Sequence, residues 1–227
     1  MATYVLIPGA DGRAWYWHLV LPELHRRGHD GITVDLPQDE SAGLAEYTDT
    51  VVRAIGDAPG PADELVLVAQ SLAGFIAPLV CDRLPVDQLI LVNAMVPKPG
   101  ETAGDWWANT GQADARAAFA VEQGRDPDAE FDVLVDFFHD VPQEVTVAAM
   151  EQGEAGPSEA VFTQPWPLTA WPDVPTRFLQ GRDDRFFPLD FQRRNAEERL
   201  GIAVEEVPGG HLLALSHPAE LADRITP

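Results

Sequence analysis

Cysteine is almost missing: Cys81 stands alone among 227 residues, so no disulfide can form within the chain. Its place inside the apolar stretch 72–84 suits a small core side chain, and redox chemistry is not expected. Basic residues are also scarce, 15 against 37 acidic, and the resulting net charge of −22 disfavours nucleic acid, anionic membrane surfaces and strongly anionic ligands. Neutral or cationic small molecules suit that field better. Acidity spread over exposed helix faces is also ordinary solubility chemistry, so the charge names no reaction. No apolar run approaches the length of a bilayer span, and Tyr4-Val5-Leu6-Ile7 follows the first residues without a basic segment or cleavage pattern. A cytoplasmic protein without a membrane partner is expected. There is no internal repeat, heptad array or low-complexity tail to suggest a scaffold. His139-Asp140 has no third and fourth ligand at a recognisable spacing, which predicts no metal. Pro8-Gly9-Ala10-Asp11-Gly12 lacks both the Gly-x-Gly-x-x-Gly spacing and a Walker lysine, so no phosphate cradle and no cofactor are expected.

What is present is a rhythm. Apolar, β-rich runs at Tyr4 to Ile7, Ile32 to Val34, Leu65 to Val68, Leu89 to Val92, Arg177 to Leu179 and Val204 to Val207 alternate with helical stretches. Those stretches are Trp15 to Arg27, Leu44 to Ile55, Leu72 to Leu84, Leu189 to Leu200 and Leu212 to Ile225. Such alternation predicts an α/β fold: a mainly parallel sheet of about six strands flanked by helices, in one domain over 1–227. The rhythm breaks over 98–174, where Trp106, Trp107, Phe119, Phe131, Phe137, Phe138, Phe162, Trp166 and Trp171 are interspersed with acidic and proline-rich stretches. This reads as an inserted helical lid. Its aromatics either glue the lid to the core or line a pocket. Trp107 and Phe138 are the expected pocket residues, together with Leu212.

Ser71 ends the apolar run Leu65 to Ala69 and is followed at once by Leu72-Ala73-Gly74, which reads as strand, abrupt corner, helix. A serine at such a corner is lifted above the sheet edge, and the next N–H points at whatever binds there. A serine between strand and helix is more often a simple N-cap, so the partners must decide. Serine is a weak nucleophile that needs a histidine to take its proton and a carboxylate to orient that histidine. His18 and His25 fall on the first helix, His29 in the turn after it, His139 in the insertion and His217 on the last helix. His211 alone follows a strand, after the flexible pair Gly209-Gly210; His139 is the reserve. The acid is expected in Gly181-Arg182-Asp183-Asp184, at the carboxyl end of the preceding strand. Asp184 is preferred, with Asp183 left open. Two backbone N–H groups, of Leu72 and Ala10, are the candidate donors for an oxyanion.

Taken together, Leu6-Ile7-Pro8-Gly9-Ala10 with Ala14-Trp15-Tyr16-Trp17, Val68-Ala69-Gln70-Ser71-Leu72-Ala73-Gly74, Asp184 with Phe187-Pro188, and Gly209-Gly210-His211 with Leu215-Ser216-His217-Pro218 resemble the α/β-hydrolase superfamily. Within it, the chain resembles specifically the branch of plant methyl esterases, hydroxynitrile lyases and their bacterial relatives. It implies Ser71 as nucleophile, His211 as base, Asp184 as acid, and a first strand lying inside the sheet. Departures are visible. Alanine replaces both glycines of Gly-x-Ser-x-Gly, Pro8-Gly9 replaces the usual His-Gly, and Asp11 adds a carboxylate beside the oxyanion loop. The lyases of the branch carry a threonine in that loop and a lysine after the histidine, where this chain has Gly9 and Leu212; cyanohydrin cleavage is therefore disfavoured. The expectation is a serine hydrolase of a small, largely apolar ester or lactone. The alternatives are a catalytically weak ligand-binding protein of the same fold, or a lyase or cofactor-free oxygenase. A homodimer is left open.

Overall fold

The computed structural model describes residues 1–58, 63–153 and 155–226, so one position of the expected insertion, 154, lies outside the described residues. Six strands form one sheet in the order β2-β1-β3-β4-β5-β6. They are β1 (Ala2–Ile7), β2 (Asp30–Thr33), β3 (Glu64–Gln70), β4 (Gln88–Val92), β5 (Thr176–Gly181) and β6 (Val204–Val207). Every pairing is parallel, and β1 lies inside the sheet, between β2 and β3. Side chains alternate across it. Val5, Ile7, Leu67, Ala69, Leu89, Leu91 and Phe178 face one apolar layer. Tyr4, Leu6, Val66, Val68, Ile90, Val92 and Leu179 face the other. Both faces need cover, which is why the central strands read as continuous apolar runs.

The first layer is covered by α2 (Leu44–Gly56), α3 (Ala77–Cys81) and α9 (Leu189–Leu200). The second is covered by α1 (Val20–Arg26), α10 (Leu213–Ser216) and α11 (Pro218–Ile225). Three stretches expected as single helices are broken, each beside a proline. Pro22 lacks an N–H and its ring crowds the preceding turn, so Ala14–Trp17 is a separate 3-10 turn and α1 starts only at Val20. Pro78, in the first turn of α3, lacks the N–H that would continue the ladder back into the 3-10 turn Ser71–Phe75, and the two elements part at Ile76. Pro218 disfavours helical backbone at His217 (φ −135°), dividing α10 from α11.

The stretch between β4 and β5 holds α4 (Ala103–Thr110), α5 (Gln112–Glu122), α6 (Val133–Asp136), α7 (Gln143–Glu151) and α8 (Glu159–Thr163). Its two ends are riveted to the core. Trp106 and Trp166 are fully buried and donate their indole N–H groups to the carbonyls of Val96 and Phe75, both at 3.1 Å. Arg199 of α9 meets the buried Glu101 carboxylate at 2.5 Å. Burial alone would raise the Glu101 pKa, but bonds from Arg199, Asn109 and the Lys98 N–H hold it below the usual value.

All strands point the same way, so the loops after β1, β3, β4, β5 and β6 meet at one edge. The chain leaves β1 for β2 on one side and returns to β3 on the other, which opens a crevice between the carboxyl ends of β1 and β3. Behind that crevice the turn after β3 packs hard against the chain beyond β4: a Cβ built on Gly74 would sit 1.8 Å from the carbonyl oxygen of Met95. Backbone cannot retreat as a flexible side chain does. Gly74→Ala is expected to lower stability by about 3 kcal/mol or more, read as the urea midpoint of unfolding.

Candidate active site

Ser71 begins the turn after β3 with φ 52°, left-handed backbone that among the described non-glycine residues only Asn93 shares. Such geometry costs about 1–3 kcal/mol and must be held by its surroundings. The Met95 N–H donates to the Ser71 carbonyl at 3.0 Å, and the neighbouring Ala69 and Ala73, both fully buried, are the smallest side chains that could flank it after glycine. The hydroxyl caps neither the 3-10 turn nor α3. It is turned instead toward His211, whose Nε2 lies 3.3 Å from Oγ.

The other face of that imidazole is fixed. Nδ1 of His211 lies 2.8 Å from Oδ2 of Asp184, with both side chains buried. The second oxygen, Oδ1, accepts the N–H groups of Phe186 and Phe187 at 2.8 and 2.9 Å, and Gln180 donates to Oδ2 at 3.3 Å. These donors fix the direction in which the carboxylate points. Its neighbour Asp183 is turned away: half-exposed, it lies 3.5 Å from Arg182 and accepts weakly from the Gly209 N–H. The acid facing the imidazole is therefore Asp184.

A cavity of about 550 Å3 opens above Ser71 and His211. Ala10 is exposed to it, whereas Leu72 buries its side chain in the core and leaves only backbone for the site. Phe138 and Leu212 line the wall, but Trp107 does not. Trp107 packs edge-on against Trp106 and Phe186, at 5.3 and 5.4 Å between ring centres, because the aromatic cluster over α9 offers it more apolar contact than the cavity does. Asp11 opens onto the cavity with protein on its other sides; that partial desolvation pushes its carboxyl above the usual range, against the pull of the Arg13 N–H and guanidinium. Arg13 reaches across to the carbonyls of Gln152 and Gly153 at the end of α7. Burial likewise raises the phenol of Tyr16 and pushes the Cys81 thiol up to about 12, as befits a core residue.

Three contacts were not foreseen as part of the site. Phe137, counted only among the insertion aromatics, stacks on His211 with ring centres 4.6 Å apart and planes 15° from parallel. Asp140 accepts the Gly210 N–H at 2.6 Å, so the segment between β4 and β5 also grips the residue before His211. Asn93, at the end of β4, bonds the backbone on both sides of the site. The only sequence hint for it was a polar residue directly after a buried apolar strand. His139 does not meet Ser71; its Nε2 is buried without a hydrogen-bond partner against the Gly210 backbone. Among the described residues no group of three or more His, Cys, Asp and Glu side chains is arranged to hold a metal ion, and no helix is long and apolar enough to cross a membrane.

Burial lowers the His139 pKa from its ordinary 6.5, outweighing the pull of Asp140. The folded state then binds fewer protons than the unfolded chain, so this group contributes fully to stability above that value and less as pH falls below it. His139→Gln is expected to lose less stability than the native protein between pH 7 and about pH 5, compared by urea midpoints.

The alpha/beta hydrolase family model matches residues 4–224, and the chain belongs to that family. Among curated proteins it is similar to esterase PIR7B of Oryza sativa subsp. japonica, 29% identical over 111 residues, 44% of this chain and 41% of that one. The matched stretch thus spans about two-fifths of that relative. The crystal structure of polyneuridine aldehyde esterase superposes with TM-score 0.76 at 19% identity, covering 99% of this chain and 98% of that one. A pyrethroid hydrolase from Sphingobium faniae JZ-2 gives TM-score 0.73 at 23% identity, covering 99% and 95%. At such identities the structures establish the shared fold alone.

Proposed function

We propose that the protein is a serine esterase that cleaves a small, largely apolar ester or lactone through an acyl-enzyme, with Ser71, His211 and Asp184 as its triad. One observation carries this reading: a buried imidazole has a carboxylate at 2.8 Å on Nδ1 and a hydroxyl at 3.3 Å on Nε2. The names of similar proteins, an esterase and a pyrethroid hydrolase among them, point the same way. The Ser71 Oγ–H proton passes to Nε2 as Oγ attacks the ester carbonyl carbon, and the N–H groups of Ala10 and Leu72 receive the oxyanion. Collapse expels the alkoxide, which takes the proton from Nε2. Water then gives a proton to Nε2 and attacks the acyl carbon, releasing the acid and returning the proton to Oγ. Asp184 keeps the donating hydrogen on Nδ1 and offsets the imidazolium charge at each peak of the cycle. The segment 98–174 serves as lid, its Val133, Phe137, Phe138 and Met150 closing over the apolar part of the substrate with Leu212 and Leu215 opposite.

A fluorophosphonate probe should label Ser71 and leave Ser71→Ala unmodified. Unlabelled, folded native protein would overturn the reading, and saturable ligand binding without turnover would mark a binding protein instead. Asp184→Asn should lower kcat by about 10⁴-fold on a short p-nitrophenyl ester, because the wrong imidazole nitrogen then carries the proton. Asp183→Asn should stay within about 3-fold, since its half-exposed carboxylate does not face the imidazole. The Asp11 carboxylate beside Ala10 repels a substrate carboxylate. Asp11→Asn should therefore raise kcat/KM for a half-ester of a dicarboxylic acid by about 10-fold relative to a neutral ester of the same length.

A further inference from the structure

Asn93 stands directly after β4 at φ 47°, completely buried and outside the cavity wall, in a left-handed conformation that asparagine tolerates better than most side chains. Its backbone N–H continues the ladder to the Leu179 carbonyl at 3.0 Å. Its side-chain amide does something different. Oδ1 accepts the N–H of Gly181, the last residue of β5, at 2.7 Å. Nδ2 donates to the carbonyls of Gly210 and His211 at 3.0 and 2.9 Å. The partners dictate the orientation of the amide, because an N–H must face the oxygen and carbonyls must face the nitrogen. One planar group thus joins the strand end that launches the Asp184 loop to the backbone of His211 itself.

We propose that Asn93 is a positioning residue, setting the separation between the loop that carries Asp184 and the loop that carries His211. The proposal rests on the triad reading above. The two loops abut closely here: a Cβ on Gly181 would lie 2.4 Å from the Gly210 carbonyl oxygen, and the Asp183 N–H donates to the Gly209 carbonyl at 2.9 Å, so they touch mainly through backbone. The Asn93 amide adds a buried side-chain tie from the end of β5 to the backbone of Gly210 and His211. Few residues could replace it. A carboxylate would accept from Gly181 but repel both carbonyls, and an aliphatic side chain would leave one buried N–H and two buried carbonyls without this partner. Since the Asp184–His211–Ser71 line has only a few tenths of an ångström of slack before its hydrogen bonds fail, a small drift of either loop reaches the reacting proton.

Asn93→Gly separates the two reasons for an asparagine here. Glycine adopts the left-handed backbone freely but carries no amide. If the amide positions the loops, kcat on a p-nitrophenyl ester falls by about 10–100-fold with KM within about 3-fold of native. In NMR spectra the His211 imidazole then titrates at a shifted midpoint and its Nδ1 proton signal moves or broadens. Native kcat and a native imidazole titration in folded Asn93→Gly would overturn the proposal. Should that variant not fold, Asn93→Asp decides, because a carboxyl donates to a carbonyl only while protonated. Its kcat relative to native must then fall as pH rises, and a constant ratio would refute the role. Native protein that titrates as expected but never turns over an ester would sink the esterase reading alone, because the NMR comparison judges Asn93 without turnover.

Discussion

A single imidazole ring has to meet a carboxylate on one nitrogen and a hydroxyl on the other, and the partners come from loops that are far apart in the chain. Ser71, Asp184 and His211 are separated by more than a hundred residues at the first step and by 27 at the second. What makes their meeting routine is the parallel sheet. Strands running the same way deliver their loops to one edge, so a residue directly after β3, one just after β5 and one just after β6 arrive within hydrogen-bond reach. The rest of the architecture maintains that edge. Two apolar layers hold the strands in register, and the left-handed backbone at Ser71 is sustained by the Met95 N–H and by the close packing at Gly74.

The histidine is restrained from three directions. Asp184 holds Nδ1, Asn93 holds the backbone carbonyl, and the segment between β4 and β5 supplies a ring on its face through Phe137 and a carboxylate on the preceding N–H through Asp140. The segment between β4 and β5 is therefore coupled to the loop that carries His211 as well as to the cavity wall. Its aromatics divide by position. Trp106 and Trp166 are buried rivets with satisfied indoles, Trp107 belongs to the cluster over α9, and Phe137 and Phe138 face the cavity. The charges at the cavity are mixed: Asp11 and Arg13 both line it, and Arg13 also bonds the backbone carbonyls just after α7.

Much of this is legible in the sequence. The strands were readable because parallel strands buried on both faces must be apolar throughout, and the order serine, acid, histidine followed from where each fell after a strand. The helix breaks that fall just before Pro22, Pro78 and Pro218 are not legible in the apolar periodicity, which runs on across each of them. Trp107 was misassigned to the pocket wall, since an aromatic in an insertion carries no mark of the surface it will cover. Asn93 and Asp140 left almost no trace, because a polar residue that bonds distant backbone looks like any loop residue.

The sequence by itself determined the strands, their approximate limits, the sharp turn at Ser71 and the place of His211 directly after a strand. These depend on local periodicity and on what immediately precedes each residue, both written in neighbouring letters. Only the tertiary structure showed which of Asp183 and Asp184 faces the imidazole, sorted the aromatics into core and cavity, and joined Asn93 to both loops. Those outcomes depend on side-chain direction and on contacts across 27 to 118 residues of chain, which no local pattern encodes.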